Sequence, residues 1–190
     1  LAYQKTAMET VNDMGLGWNL GNTFDCFGTW KEIETPDDQI TMWGNVAPTE
    51  EMVVTIKKYG FKTVRFPVTW MNFMDDSGKV SEEWMSRVKE VVDWIIKAGM
   101  YCILNVHHDG VAGNWLAEGT KVQKKYVTLW TQIANEFKSY DDHLILESMN
   151  EVEYKSGNDF DFKTLVTLTQ AFVDTVRRTG ENNVDRLLLI

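Results

Sequence analysis

The sequence predicts an α/β fold, about the first half (β1 to β5) of a (β/α)8 TIM barrel. Short apolar runs alternate with amphipathic helical stripes. Markers within the runs, Trp18, Arg65, Leu104, Leu146 and Leu188, recur roughly every 42 residues. Eight such units need roughly 340 residues, within the range of a closed barrel. The chain has 190, enough for four units and the strand of a fifth.

Each element follows from local pattern. β1 is expected around Met14–Leu20 and ends in polar Asn19-Leu-Gly-Asn22. Lys57-Lys-Tyr-Gly60 closes a helix before β2 at Thr63–Phe66. Ser81, followed by Glu82 and Glu83, reads as the N-cap of a helix with stripe Trp84, Val88, Val91 and Ile95. That helix closes at Gly99, before β3 at Tyr101–Val106. Val122, Tyr126, Leu129 and Ile133 give the next stripe, ahead of β4 at Leu144–Met149. Leu165, Leu168, Phe172 and Val176 give another, closed at Gly180 before β5 at Arg186–Ile190. The strands are short and nearly all apolar, as parallel strands covered on both faces are. Strand-helix-strand alternation makes right-handed βαβ units.

Composition narrows the function. The net charge is −9, and no basic stripe is visible, so nucleic acid is excluded as a partner. No apolar stretch reaches the ~18 residues of a membrane span, and no signal peptide is read, although the chain opens on Leu1 rather than Met. Two cysteines, Cys26 and Cys102, are too few for a disulfide framework, and Cys102 reads as a buried small hydrophobe. Eight tryptophans are many for this length. Trp18, Trp30, Trp43, Trp70 and Trp115 lie at or just after strand ends, where exposed aromatic faces would stack on sugar rings; about half are expected to be core instead.

The C-terminal ends of parallel strands are where such folds do chemistry. Leu144-Ile-Leu-Glu-Ser-Met-Asn150-Glu151 puts a carboxylate and an amide at one such end, making Glu151 a candidate acid/base. Asn22 and Asp25 follow β1, Arg65 lies within β2, and His107, His108 and Asp109 follow β3. A buried arginine needs carboxylate partners, so Arg65 is expected either to orient a catalytic carboxylate or to form a structural salt bridge. Adjacent residues on a regular strand face opposite ways, so His107 and His108 are not expected to share a metal ion, and no cofactor is expected. Neutral histidines donating hydrogen bonds to substrate hydroxyls or to a carboxylate fit better. Glu147, an even number of residues before Glu151, is expected to point into the barrel.

Met14-Gly-Leu-Gly-Trp-Asn-Leu-Gly-Asn22, Val64-Arg-Phe-Pro67, Leu104-Asn-Val-His-His108 and Ser148-Met-Asn-Glu151 occur in order. Together they resemble glycoside hydrolase family 5, the cellulase family, in its endoglucanase and xyloglucanase branches. Trp43-Gly-Asn45 and Asn114-Trp-Leu116 resemble two further segments. The resemblance implies a retaining (β/α)8 hydrolase of β-linked polysaccharide, of which residues 1–190 form the N-terminal half of one catalytic domain. It further implies Glu151 as general acid/base, with Asn150 on the sugar 2-hydroxyl. Arg65 would hold the nucleophile, His107 and His108 would line the cleavage point, and Asn22 and Trp115 would contact the non-reducing side. Desolvation among aromatic groups would raise the Glu151 pKa. The nucleophile, a glutamate after the seventh strand, would come from a C-terminal half-barrel, as a second chain or a further segment. Alternatives are a non-catalytic carbohydrate-binding half-barrel, or a xyloglucanase or mannanase of the same family. Such polymers cannot enter a cell, so secretion or surface display is expected.

Overall fold

A computed structural model describes residues 5–109, 122–151 and 162–190. Five parallel strands lie in the order β1-β2-β3-β4-β5: β1 Gly17–Asn19, β2 Thr63–Phe66, β3 Tyr101–Asn105, β4 Leu144–Glu147 and β5 Leu188–Leu189. The strands are those expected, each shorter by one or more residues except β2. The connecting helices are α2 Pro36–Ile40, α3 Glu50–Lys58, α4 Glu82–Lys97, α5 Gln123–Phe137 and α6 Phe162–Arg178. Gly60, Gly99 and Gly180 have φ of 93°, 69° and 75°. They end their helices through a conformation that a Cβ disfavours, Gly60 and Gly99 shortly before a strand and Gly180 before a 3-10 turn, Glu181–Val184, that precedes β5.

Strand alternation divides the side chains into two sets. Val64, Phe66, Cys102, Leu104, Leu144 and Leu146 face outward and pack under the helices with Trp84, Val88, Ile95, Tyr126, Trp130 and Phe172. Tyr101, Ile103 and Ile145 face the barrel axis, joined by Met14, Leu187 and Leu189. Cys102 is a buried free thiol as expected, and so is Cys26. Among the described residues no helix is long and apolar enough to cross a membrane.

Two helices were not anticipated, α2 and one ahead of β1. α1, Ala7–Met14, occupies part of what read as β1, because the glycine-rich run after it was taken back to Met14. The local signal was present: Thr6 and Glu9 form a capping box, with the Thr6 side chain accepting from Glu9 N and the Glu9 carboxylate accepting from Thr6 N at 2.7 Å. α1 sits against the N-terminal end of the sheet, where Thr63 Oγ1 donates to Met14 O at 2.6 Å and Lys5 donates to the Tyr101 hydroxyl at 3.3 Å. Met14 thereby covers the axial cluster. Tyr101, Ile103 and Ile145 are buried with five strands among the described residues.

Candidate active site

The strand ends converge on one rim, and their polar groups form a continuous network. Arg65 of β2 points its guanidinium across the axis at Glu147 of β4, Nε to Oε2 at 2.8 Å and Nη2 to Oε1 at 2.5 Å. Nη2 also donates to Asn150 Oδ1 at 2.9 Å and Nη1 to Asn19 Oδ1 at 3.2 Å. A planar fork meeting a carboxylate bidentately is the geometry arginine is built for. The hydrogen bond to Glu147 holds the Arg65 pKa above even its ordinary value, against the opposing effect of burial. Because Asn150 accepts through Oδ1, its Nδ2 amide is left to donate elsewhere.

Asn105, at the end of β3, is fully buried and links this pair to the histidines. Its Oδ1 accepts from Val68 N at 3.1 Å, which fixes the amide orientation. Its Nδ2 then donates to Glu147 Oε1 at 3.0 Å and meets His107 Nδ1 at 2.9 Å. Nδ1 must accept, so the neutral ring carries its proton on Nε2. Burial, then His108 and Arg65, push the His107 pKa down to about 3. Burial also lowers that of His108, with Asp25 and Glu151 opposing. At neutral pH both rings are uncharged, and His107 presents a single N–H donor.

The chain has left strand geometry before His107, so the expected opposition of the two histidines does not hold. Their rings meet edge to face at 4.5 Å. With Asp25 they bring one ligand atom each within 4.8 Å of one another. The atom that His107 turns toward Asp25 Oδ2, at 3.9 Å, is Nε2. That nitrogen carries the proton, so a cation there would have to displace it. His108 is packed against Phe27 and Trp43, with ring centroids 4.7 and 5.7 Å away.

Glu151 follows β4 at a φ of 37°, a conformation uncommon outside glycine that concentrates at functional positions. It is exposed, so the desolvation expected from neighbouring aromatic groups is not supplied by the described residues. Asn22 is exposed with a φ of 60°. Its carbonyl accepts from Asn45 Nδ2 at 3.1 Å, and Trp43 Nε1 donates to Phe27 O at 3.2 Å. Trp43-Gly-Asn45 therefore clamps the loop that follows β1. Trp115, expected on the non-reducing side, lies outside the described residues, as do Asn114 and Leu116.

The chain matches the model of the cellulase family, glycosyl hydrolase family 5, over residues 20–190. It belongs to glycosyl hydrolase family 5. Endoglucanase A of Clostridium longisporum is 42% identical over all of this chain and 38% of its own length. A solved GH5-4 broad specificity endoglucanase from an uncultured bovine rumen ciliate is 88% identical, with a TM-score of 0.92. The match covers 97% of this chain and 52% of that one. A GH5-4 broad specificity endoglucanase from Ruminococcus champanellensis, solved with bound cellotriose, is 38% identical with a TM-score of 0.88, over 98% and 57%. The chain thus spans about half the length of these solved relatives, as the first half of a family 5 barrel does.

Arg65, Asn150, His107, His108, Glu151 and Asn22 are brought to one rim. Among the described residues, the carboxylate on the Arg65 fork is Glu147 of the same sheet. Glu147 does point into the barrel as expected, and there it completes the ion pair. Asn105 was missed, although an asparagine closing an apolar strand was a signal. Asp109 was passed over too. It is fully buried, accepting from Trp70 N at 3.0 Å and Met71 N at 2.7 Å. Burial pushes its carboxyl up to about 7, with those backbone donors pulling the other way. It ties the loop after β3 to the loop after β2.

Proposed function

We propose that this chain is the N-terminal half, residues 1–190, of a single catalytic domain of a retaining endo-β-1,4-glucanase. Glu151 is its general acid/base. The observation that carries the reading is the position of Glu151 at the C-terminal end of β4, held at positive φ beside a network that fixes Arg65, Asn150, Asn105 and His107. Retaining hydrolysis needs two carboxyls about 5–5.5 Å apart, one protonated and one nucleophilic. Glu147 is committed to Arg65, so the nucleophile comes from the C-terminal half-barrel.

In this reading the leaving oxygen takes its proton from Glu151, which then serves as base toward water in the second displacement. The Nδ2 of Asn150, free to donate, binds the sugar 2-hydroxyl at the cleavage point. His107 donates its Nε2 proton to a neighbouring hydroxyl, and His108, Asn22 and Trp115 extend the binding surface. Arg65 holds Glu147 in place and Asn150 oriented. A neutral polymer suits a site with uncharged histidines. The relatives' names, broad specificity endoglucanase among them, support β-glucan as the substrate. Because the polymer stays outside cells, we place the protein as secreted or surface-bound.

The test is Glu151→Gln in the full-length protein. Polysaccharide hydrolysis should fall by roughly 10²–10⁴-fold, the usual contribution of a positioned acid. Activated aryl glycosides, whose leaving groups need little protonation, should lose far less in the glycosylation step. Equal loss in that step on both substrates removes the acid assignment.

A further inference from the structure

Resting on the β-glucanase reading, we propose that Trp30 is a sugar-stacking platform that forms a distal subsite on the rim after β1. The tryptophans near strand ends fall into distinct classes. Trp70 is fully buried and Trp43 is wedged between Phe27 and His108. Trp18 lies on the edge strand, edge to face with Phe61. Trp30 alone of these four is 69% exposed in a loop that leaves the active-site rim.

An exposed indole is ordinarily free to rotate, and this one is seated. A Cβ built on Gly28 would lie within 2.6 Å of Trp30 Cε3 and closer still to Cζ3 and Cη2. The six-membered ring therefore rests on the glycine backbone, a close approach only glycine permits. The loop is fastened on both sides of it. Phe27 O accepts from Trp43 Nε1 at 3.2 Å, and Lys31 Nζ donates to Asp38 O and pairs with its carboxylate, both at 3.4 Å. One face is thus anchored and much of the ring remains open to water. β-linked glucose has the matching shape, equatorial hydroxyls around an apolar face of axial C–H bonds, and apolar contact with a rigid aromatic is how such faces are held.

The placement also defines which unit is bound. Phe27 packs on His108 at the cleavage point, and Trp30 follows it by three residues in the same loop, within roughly 11 Å along the chain. The platform is assigned to a glucose unit other than the two joined by the scissile bond. Its contact is the same in ground and transition states, so it acts on KM rather than kcat.

The experiment compares the full-length wild type with Trp30→Ala and Gly28→Ala, the second of which keeps the indole but unseats it. Kinetics are measured on cellohexaose and on cellotriose, and thermal unfolding is followed for each variant. Trp30→Ala should raise KM for cellohexaose roughly three- to tenfold, the range of a single aromatic contact. Its kcat, its cellotriose kinetics and its Tm should be unchanged. Gly28→Ala should shift KM in the same direction. Equal KM values on cellohexaose for wild type and Trp30→Ala, or equal losses on both lengths, overturn the platform. If the wild type hydrolyses neither oligosaccharide, the β-glucanase reading fails. Calorimetric titration with cellohexaose then decides the platform by itself, with affinity lost in Trp30→Ala supporting it and retained affinity rejecting it.

Discussion

Arg65 shows how far single residues could be read. That an arginine inside an apolar strand requires a carboxylate follows from the cost of burying charge. Which carboxylate does not follow, because Glu147 lies 82 positions away and its partnership depends on sheet register. Arg65→Lys keeps the charge and loses the fork. Activity of the full-length enzyme should fall at least roughly tenfold, with a lower Tm; a fully active lysine variant would leave Arg65 only a general cation. His107 gives a second prediction at this scale. Arg65 acts on it from β2, Asp25 approaches from the loop after β1, His108 stands beside it, and Glu147 of β4 is linked to it through the shared Asn105 amide. Unfolded histidine protonates below about 6.5, whereas folded His107 holds off until about 3. Its contribution to stability is therefore complete above the unfolded pKa and is lost as pH falls below it. NMR of the imidazole should show a neutral ring with the proton on Nε2 down to pH 5. A midpoint near 6.5, or a proton on Nδ1, contradicts the Asn105 assignment.

The elements were legible where their signals are local. Three amphipathic stripes located α4, α5 and α6, three closing glycines marked the ends of α3, α4 and α6, and Ser81 does cap α4, accepting from Trp84 N at 3.2 Å. Ser81→Ala should cost about 1 kcal/mol in chemical denaturation. Non-local signals were not legible. Arg186 read only as the start of β5, yet it is fully buried and donates to the carbonyls of Phe137, Tyr140, Asp141 and Leu144 and to Asn183 Oδ1. It gathers the carbonyls at and beyond the C-terminal end of α5 and joins them to β5. Arg186→Leu strands those acceptors and should destabilise the protein by about 3 kcal/mol. A loss under about 1 kcal/mol would mean that water replaces the guanidinium.

On the scale of the whole molecule, spacing alone gave the half-barrel, because each βα unit has nearly constant length. The covering of its axis by α1 was hidden, since it depends on where a short helix packs. Among the described residues the outer edges of β1 and β5 are unpaired. All three residues of β1 are exposed, Ile190 beyond β5 is 83% exposed, and an apolar groove lined by Trp18, Leu20, Val46, Met52 and Phe61 runs along β1. Unpaired edges and apolar surface of this kind favour association. Residues 1–190 expressed alone should be inactive and elute as oligomers, and a monodisperse, active monomer would contradict the half-site account. That account rests on Glu151 working with a second carboxylate at retaining distance. Its most direct measurement is proton NMR of the first sugar ends released from β-1,4-glucan by the full-length enzyme, taken before mutarotation. Two displacements predict the β-anomer first; the α-anomer first would mean a single inverting attack and would contradict it.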